Sequence, residues 1–162
     1  MAIGSSLAGQ VGVVAESVYG TAVTTTRFPE VTGAKLQYKP TFVQGGGLRA
    51  GTFSQSSNRR VVTTTQAGGT LEHELTFAKM GVIIQALMGT SVTPVQQAAT
   101  TAYLQTHTLA DPAGKSLTIQ QGIPQTDGTV RAHTYAGCKI ASAEFSCAVD
   151  EIAKVVWEVD AK

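Results

Sequence analysis

Charge is what this sequence has least of. Only 14% of its 162 residues are Asp, Glu, Lys or Arg, and the formal net charge is +1. Binding nucleic acid through phosphates requires a surplus of Lys and Arg, so that class is excluded, and with it a polybasic membrane clamp and an acidic tail. Long apolar runs are missing too. The longest lies around Met80 to Met88, short of the ~20 residues a membrane-spanning helix requires. No Lys or Arg precedes Arg27, so the charged start of a secretory signal is absent and synthesis in a cytoplasm is expected. Two cysteines, Cys138 and Cys147, are too few for a disulfide scaffold. One extended strand between them would hold them roughly 30 Å apart, against the ~7 Å between Cα atoms that a disulfide tolerates. Both are expected to be free, buried and small apolar side chains.

Catalytic signatures are equally scarce. There is no G-x-S-x-G, and no cysteine with a histidine and an acid in a suggestive arrangement. His73, His107 and His133 are far apart, and Glu72-His73-Glu74 would place two carboxylates on one strand face and the imidazole on the other, which cannot close on one metal. Ala113-Gly114-Lys115-Ser116 imitates the end of a phosphate-binding loop, but Leu109 stands where the motif needs glycine and a strand-like pattern follows Ser116. Asp111-Pro112-Ala113-Gly114 reads instead as a β-turn. Gly45-Gly46-Gly47 lacks dinucleotide-loop spacing, and Asp150-Glu151 reads as a solvated turn. The sequence therefore carries no catalytic, cofactor-binding or metal-binding constellation, and no enzyme is expected.

What is present is 43% hydrophobic residues, 17 glycines and abundant threonine in a chain long enough for one domain. Disorder is excluded, and the thin surface charge implies that partners cover much of the surface. Most segments alternate as half-buried antiparallel strands. Ala153, Val155, Trp157 and Val159 oppose Lys154, Glu158 and Asp160; Leu71 and Leu75 oppose Thr70, Glu72, Glu74 and Thr76. Leu117, Ile119 and Ile123 face away from Ser116, Thr118 and Gln120, and Leu36, Tyr38 and Phe42 share a face of 35–43. Further strands are expected at 10–18, 58–66, 103–109, 129–135 and 137–149. One segment changes period: Phe77, Met80, Ile83, Ile84, Leu87 and Met88 recur at helical spacing, Gly89 supplies a stop, and a helix over 77–88 is expected to pack on a sheet. Residues 20–34 read as a long connection. Residues 44–69 form a second irregular stretch, Gly-bounded yet carrying Leu48 and Phe53, which reads as an arm ordered by a partner, or as a projecting hairpin if 58–66 is a strand.

Val14-Ala15-Glu16-Ser17-Val18-Tyr19-Gly20-Thr21-Ala22, followed by Arg27-Phe28-Pro29-Glu30, resembles the opening of tail tube proteins of long-tailed bacteriophages. Their order of a strand, a Gly-rich arm, a strand and a short helix matches 35–43, 44–69, 70–76 and 77–88. The resemblance implies a mainly β fold, a β-sandwich or small barrel with one flanking helix, spanning 1–162 as one tail tube domain. It also implies a non-enzymatic virion protein without cofactor. Such a protein assembles with itself into hexameric rings stacked as a tube, encloses a tape measure protein, meets tail terminator and tail tip proteins, and lets double-stranded DNA pass, with no membrane insertion of its own. Some members have a second similar half, so a short member and one truncated copy both fit.

Residues 45–69 hold Arg49, Arg59 and Arg60 and no acid, whereas 140–162 hold Glu144, Asp150, Glu151, Glu158 and Asp160 against two lysines. The arm, with Leu48 and Phe53 as apolar anchors, is accordingly expected to meet those acids on a neighbouring copy. Thr63, Thr65, Thr70, Glu72 and Glu74 are candidates for a lumen-facing set. The competing readings are another virion β-protein (tail completion or head decoration) and a monomeric β-sandwich binding module, the latter disfavoured by a single tryptophan whose strand phase points inward.

Overall fold

A computed structural model describes residues 9–47, 50–51, 53–54, 57–76 and 78–162. Its strands are β1 (Gln10–Ala15), β2 (Val31–Gln44), β3 (Arg60–Glu74), β4 (Val95–Gln96), β5 (Tyr103–Leu104), β6 (Leu117–Pro124), β7 (Val130–Ser146) and β8 (Lys154–Ala161), with one helix, α1 (Gly81–Met88), between β3 and β4. Six strands form an antiparallel sheet in the order β1-β6-β7-β8-β3-β2, and β4 and β5 pair as a separate flap.

The sheet curls because one strand serves two neighbours in turn. β7 pairs with β6 through Cys138 and with β8 from Lys139 onward. Gly137, with φ 65°, stands at the changeover, a backbone state that a side chain would strain. Two bulges on β7, one between Tyr135 and Cys138 opposite Leu117–Ile119 and one between Ile140 and Ser142, add the bend that lets a strand switch sheets. The result is a half-barrel whose concave side is filled by α1, packed against β7 and β1. Val82, Ile83 and Ala86 of α1 join Val11, Val13, Leu71, Leu117, Ile119, Ile140, Val155, Trp157 and Val159 in one core.

The helix is shorter than its apolar periodicity predicts. Lys79 takes φ 69°, which no helix accommodates, so the helix starts at Gly81; Phe77 lies outside the described residues. Its end is as expected: Gly89 is left-handed, and its N–H donates to the Gln85 carbonyl. Four expected strands merge into two, 58–66 with 70–76 as β3 and 129–135 with 137–149 as β7, while 103–109 shrinks to Tyr103–Leu104. The connection expected over 20–34 ends earlier, since β2 begins at Val31. Asp111–Gly114 is a turn, with the Ala113 N–H donating to Asp111 Oδ1 (2.8 Å) and a strand directly following Ser116.

Two face assignments also change. Tyr38 and Phe42 are exposed although they share the face of buried Leu36, because β2 runs on past the core. Ser116 and Thr118, expected on a wet face, are buried, and Ile123 is exposed. Cys138 is buried as expected, but Cys147 falls just beyond the end of β7 and is exposed, which corrects the expectation of two buried thiols.

His73 is a buried polar group beside fully buried Trp157. The indole Nε1–H donates to His73 Nε2 at 2.6 Å, and His73 Nδ1 lies 3.1 Å from the Glu74 carbonyl oxygen. An indole only donates, so Nε2 accepts and the imidazole proton sits on Nδ1, donating to that carbonyl. Both buried donors are thereby satisfied, and Phe145 closes on the indole edge-on with centroids 5.7 Å apart.

Replacing His73 by Leu strands the indole N–H, and should cost about 1–3 kcal/mol in chemical denaturation. Burial pushes the Cys138 thiol up to about 12, with a backbone hydrogen bond to Ile119 opposing and the Glu16 charge adding to the rise. A thiol titration of the folded protein should therefore count one fast cysteine, Cys147, and the second only on unfolding.

Candidate functional site

β2 and β3 pair along nearly their whole length, Val31 opposite His73 and Gln44 opposite Arg60. β8 ends opposite Ala67, so residues 39–44 and 60–66 continue as a two-stranded ribbon with no third strand among the described residues. The departure point is built from Gly68 (φ 153°) and Gly69 (φ 146°). A Cβ on Gly68 would overlap the Val159 carbonyl oxygen, and one on Gly69 that of Lys35, so only glycine lets the three strands meet here. Further out a bulge between Thr41 and Phe42 twists the ribbon, and Thr63 Oγ1 donates to the Thr41 carbonyl at 3.3 Å.

The ribbon is apolar where water would favour polarity. Tyr38, Phe42, Val43, Val61 and Val62 are all exposed, and Phe53 beyond them is fully so. The expected basic anchors are partly held on the ribbon itself. The Arg60 guanidinium carbon sits 3.9 Å above the Phe42 ring, and Arg59 lies along Gly45 and Gly47, where a larger residue at 47 would collide with it. Leu48 and Arg49 lie outside the described residues.

The acids form a pattern that sequence order conceals. Register places Glu72, Val156 and Glu144 in one row, Thr70, Glu158 and Ser142 in the next, and Gly68, Asp160 and Lys139 in a third. All lie on the face opposite Trp157. Glu72 and Thr70, with Glu74 on the same face, thus share one surface with Glu144, Glu158 and Asp160, so the expected lumen set and counter-surface are not separate faces. Lys35 pairs with Glu72 at 2.9 Å, and Glu158 accepts from Ser142 Oγ at 3.0 Å. Asp150 and Glu151 stand away from this face, in the turn between β7 and β8, with Glu151 3.5 Å from Lys154. Thr63 and Thr65 ride on the ribbon; Thr65, opposite Pro40, has the phase of Leu71 and so lies on the other face.

Glu16, which in the sequence is only part of a phrase, gathers four hydrogen bonds. The buried Glu16 carboxylate accepts from the Gly137 N–H (2.8 Å) and Thr118 Oγ1 (2.8 Å) on one oxygen, and from Ser116 Oγ (2.7 Å) and the Gly20 N–H (2.9 Å) on the other. It thereby ties the turn after β1 to the start of β6 and to the β7 corner. Burial raises the carboxyl's proton affinity, but the bonds from Gly137, Ser116, Gly20 and Thr118 outweigh it and hold the pKa below the ordinary glutamate value. Gly20 (φ 74°) is what lets the turn present its N–H, and Tyr19 packs beside Gly137 with the Lys162 ammonium 5.6 Å from its ring centre.

A family model described as phage tail tube protein matches residues 6–162. The chain belongs to that family. This tail tube protein is therefore a structural component of the virion tail and not an enzyme. Among solved structures, that of the SPP1 tail tube, a hybrid of solid-state NMR and cryo EM, is similar in fold: TM-score 0.54, 11% identity, with 94% of this chain and 73% of that one covered. No curated protein matches in sequence. No helix among the described residues is long and apolar enough to cross a membrane. In the tail tube subunit the Glu16-x-x-Tyr19-Gly20 phrase is a folding device, since Glu16 joins nearby Gly20 to Ser116, Thr118 and Gly137 far along the chain.

Glu16→Gln keeps one acceptor oxygen but turns an amide NH₂ toward two donors, and should cost about 1–3 kcal/mol in thermal or denaturant unfolding. Because the folded pKa is lowered, this stabilisation is fully present above the unfolded glutamate value of about 4.3 and is lost as pH falls through the folded pKa. Stability measured against pH should drop below that value in the parent and flatten there in the variant.

Proposed function

We propose that this chain forms closed, hexameric rings that stack into the tail tube, with 1–162 acting as one tube domain and 44–69 as its arm. The observation that carries this reading is the ribbon of residues 39–44 and 60–66, which leaves the sheet with exposed apolar side chains and, over 39–43 and 61–66, strand edges that no third strand covers among the described residues. A two-stranded ribbon is marginal in water, and a free apolar edge invites another strand. Pairing ribbons between copies removes those edges at once, and a contact that repeats by rotation closes into a ring.

Phe53, with Leu48, supplies the apolar part of the arm's contact, and Arg49, Arg59 and Arg60 its charge. The opposing surface on the neighbouring copy is acidic: Glu144, Glu158 and Asp160 on the outer sheet face, whereas Asp150 and Glu151, in the turn, stand apart from it. Thr70, Glu72 and Glu74 are proposed to face the lumen, together with Thr63 of the ribbon, whereas Thr65 has the phase of Leu71 and faces the other way. The tube would enclose a tape measure protein, end on terminator and tip proteins, and conduct double-stranded DNA. A near-neutral chain suits that passage, since each phosphate contact would retard the cargo.

Electron microscopy and sedimentation of the purified chain across a concentration series test this directly. The parent should give rings or tubes with a central hole. Deletion of 47–56, which leaves the core untouched, should give a folded protein that forms no tubes. Tubes of normal length from the deletion variant would defeat the assignment of the arm.

A further inference from the structure

The end of the molecule opposite the arm carries a second pair of complementary features. One is the turn between β7 and β8. The Glu151 N–H donates to the Ala148 carbonyl at 3.3 Å, which puts Val149 and Asp150 at the turn's corners, Asp150 with φ 64°. Turn corners are normally polar or glycine. Here Val149 is 91% exposed and Ile152 60% exposed, with the carboxylates of Asp150 and Glu151 between them. The other feature is a groove of about 560 Å³ between α1 and the β4–β5 flap. Leu75, Ile84, Tyr103 and Leu104 give it apolar walls, and Arg27 and Lys79 are its cations; no Asp or Glu lines it among the described residues. Lys79 donates to the Phe28 carbonyl at 3.0 Å, which fixes its ammonium at the groove.

We propose that the Val149–Ile152 turn of one copy docks in the α1–flap groove of the next, forming the side-to-side contact of the ring. The turn offers two apolar side chains flanking two acids, and the groove offers apolar walls with two cations. The match is in kind and in sign. Position agrees as well. The Leu75 N–H donates to the Ala153 carbonyl at 2.8 Å, so turn and groove occupy the same end of the sheet. Copies related by rotation alone touch at equal heights along the axis, so the two halves of a ring contact must share one level, as these do. The arm, at the far end of β3, is left free for contacts between layers. This inference rests on the ring reading above.

Two variants test it, with residues chosen to tolerate the left-handed backbone at 79 and 150. Asp150→Asn with Glu151→Lys makes the turn basic, and Arg27→Glu with Lys79→Asn makes the groove acidic. Circular dichroism and thermal melting verify that each is folded. Each alone should need about tenfold more protein to form rings in sedimentation, or fail to form them. An equimolar mixture should assemble where neither does alone, because each basic turn then finds an acidic groove. Either folded variant assembling at the parent concentration, or a mixture no better than its components, overturns the proposal. Should either variant not fold, Val149→Ser with Ile152→Ser, confined to exposed positions, must raise the assembly concentration likewise, and parent-like assembly overturns the docking. If the unsubstituted chain forms no rings, the tube-ring reading falls; if it forms rings and the turn variants form them equally well, only this docking falls.

Discussion

The architecture depends on one buried carboxylate without a cation. Glu16 holds its charge against burial only because four neutral donors converge on it, from the turn at Gly20, from Ser116 and Thr118 entering β6, and from the β7 corner at Gly137. A carboxylate taken out of water with no such partners would be prohibitively costly, so those three segments must be in place together. Their meeting point is where β7 leaves β6 for β8. The bend at that point turns a flat six-stranded sheet into a half-barrel, and the half-barrel gives α1 a concave surface to fill.

From that curl follows the division of the molecule into a stable body and an exposed ribbon. Trp157, His73, Leu71 and Val155 lie where β3 has neighbours on both sides, and all are buried. Past Ala67 the same strand has one neighbour, and its valines are in water. Gly68 and Gly69 mark the border, because three backbones approach there too closely for any side chain. A monomer gains nothing from such a ribbon. In a tail tube protein, such exposed edges and apolar side chains are the proposed means of joining copies.

Low charge acquires a physical sense in this setting. Most of the carboxylates lie on the outer sheet face and the β7–β8 turn, while Arg59 and Arg60 sit at the ribbon, so the +1 net charge hides an uneven distribution. Arg60 over Phe42 and Arg59 along the glycines show that these cations also cover the ribbon's own apolar groups. An Arg-to-Ala change there would remove packing as well as charge.

Local chemistry alone determined much of this protein. Period-two alternation fixed the inward phase of Leu71, Val155, Trp157 and Val159, Gly89 ended the helix, and Asp111–Gly114 made a turn, because each depends on neighbours a few residues away. The family likeness was legible for a similar reason: Glu16, Tyr19 and Gly20 sit within one short phrase. Tertiary structure decided the rest. Whether Tyr38 is buried depends on where β8 stops, and whether Thr118 is wet depends on a carboxylate 102 residues earlier in the chain. The Lys79 backbone shortened a helix that its apolar spacing would have extended. Cys147 is exposed because the strand ends just before it. Two acidic groups distant in sequence became one surface through strand register, a long-range property that no local pattern encodes.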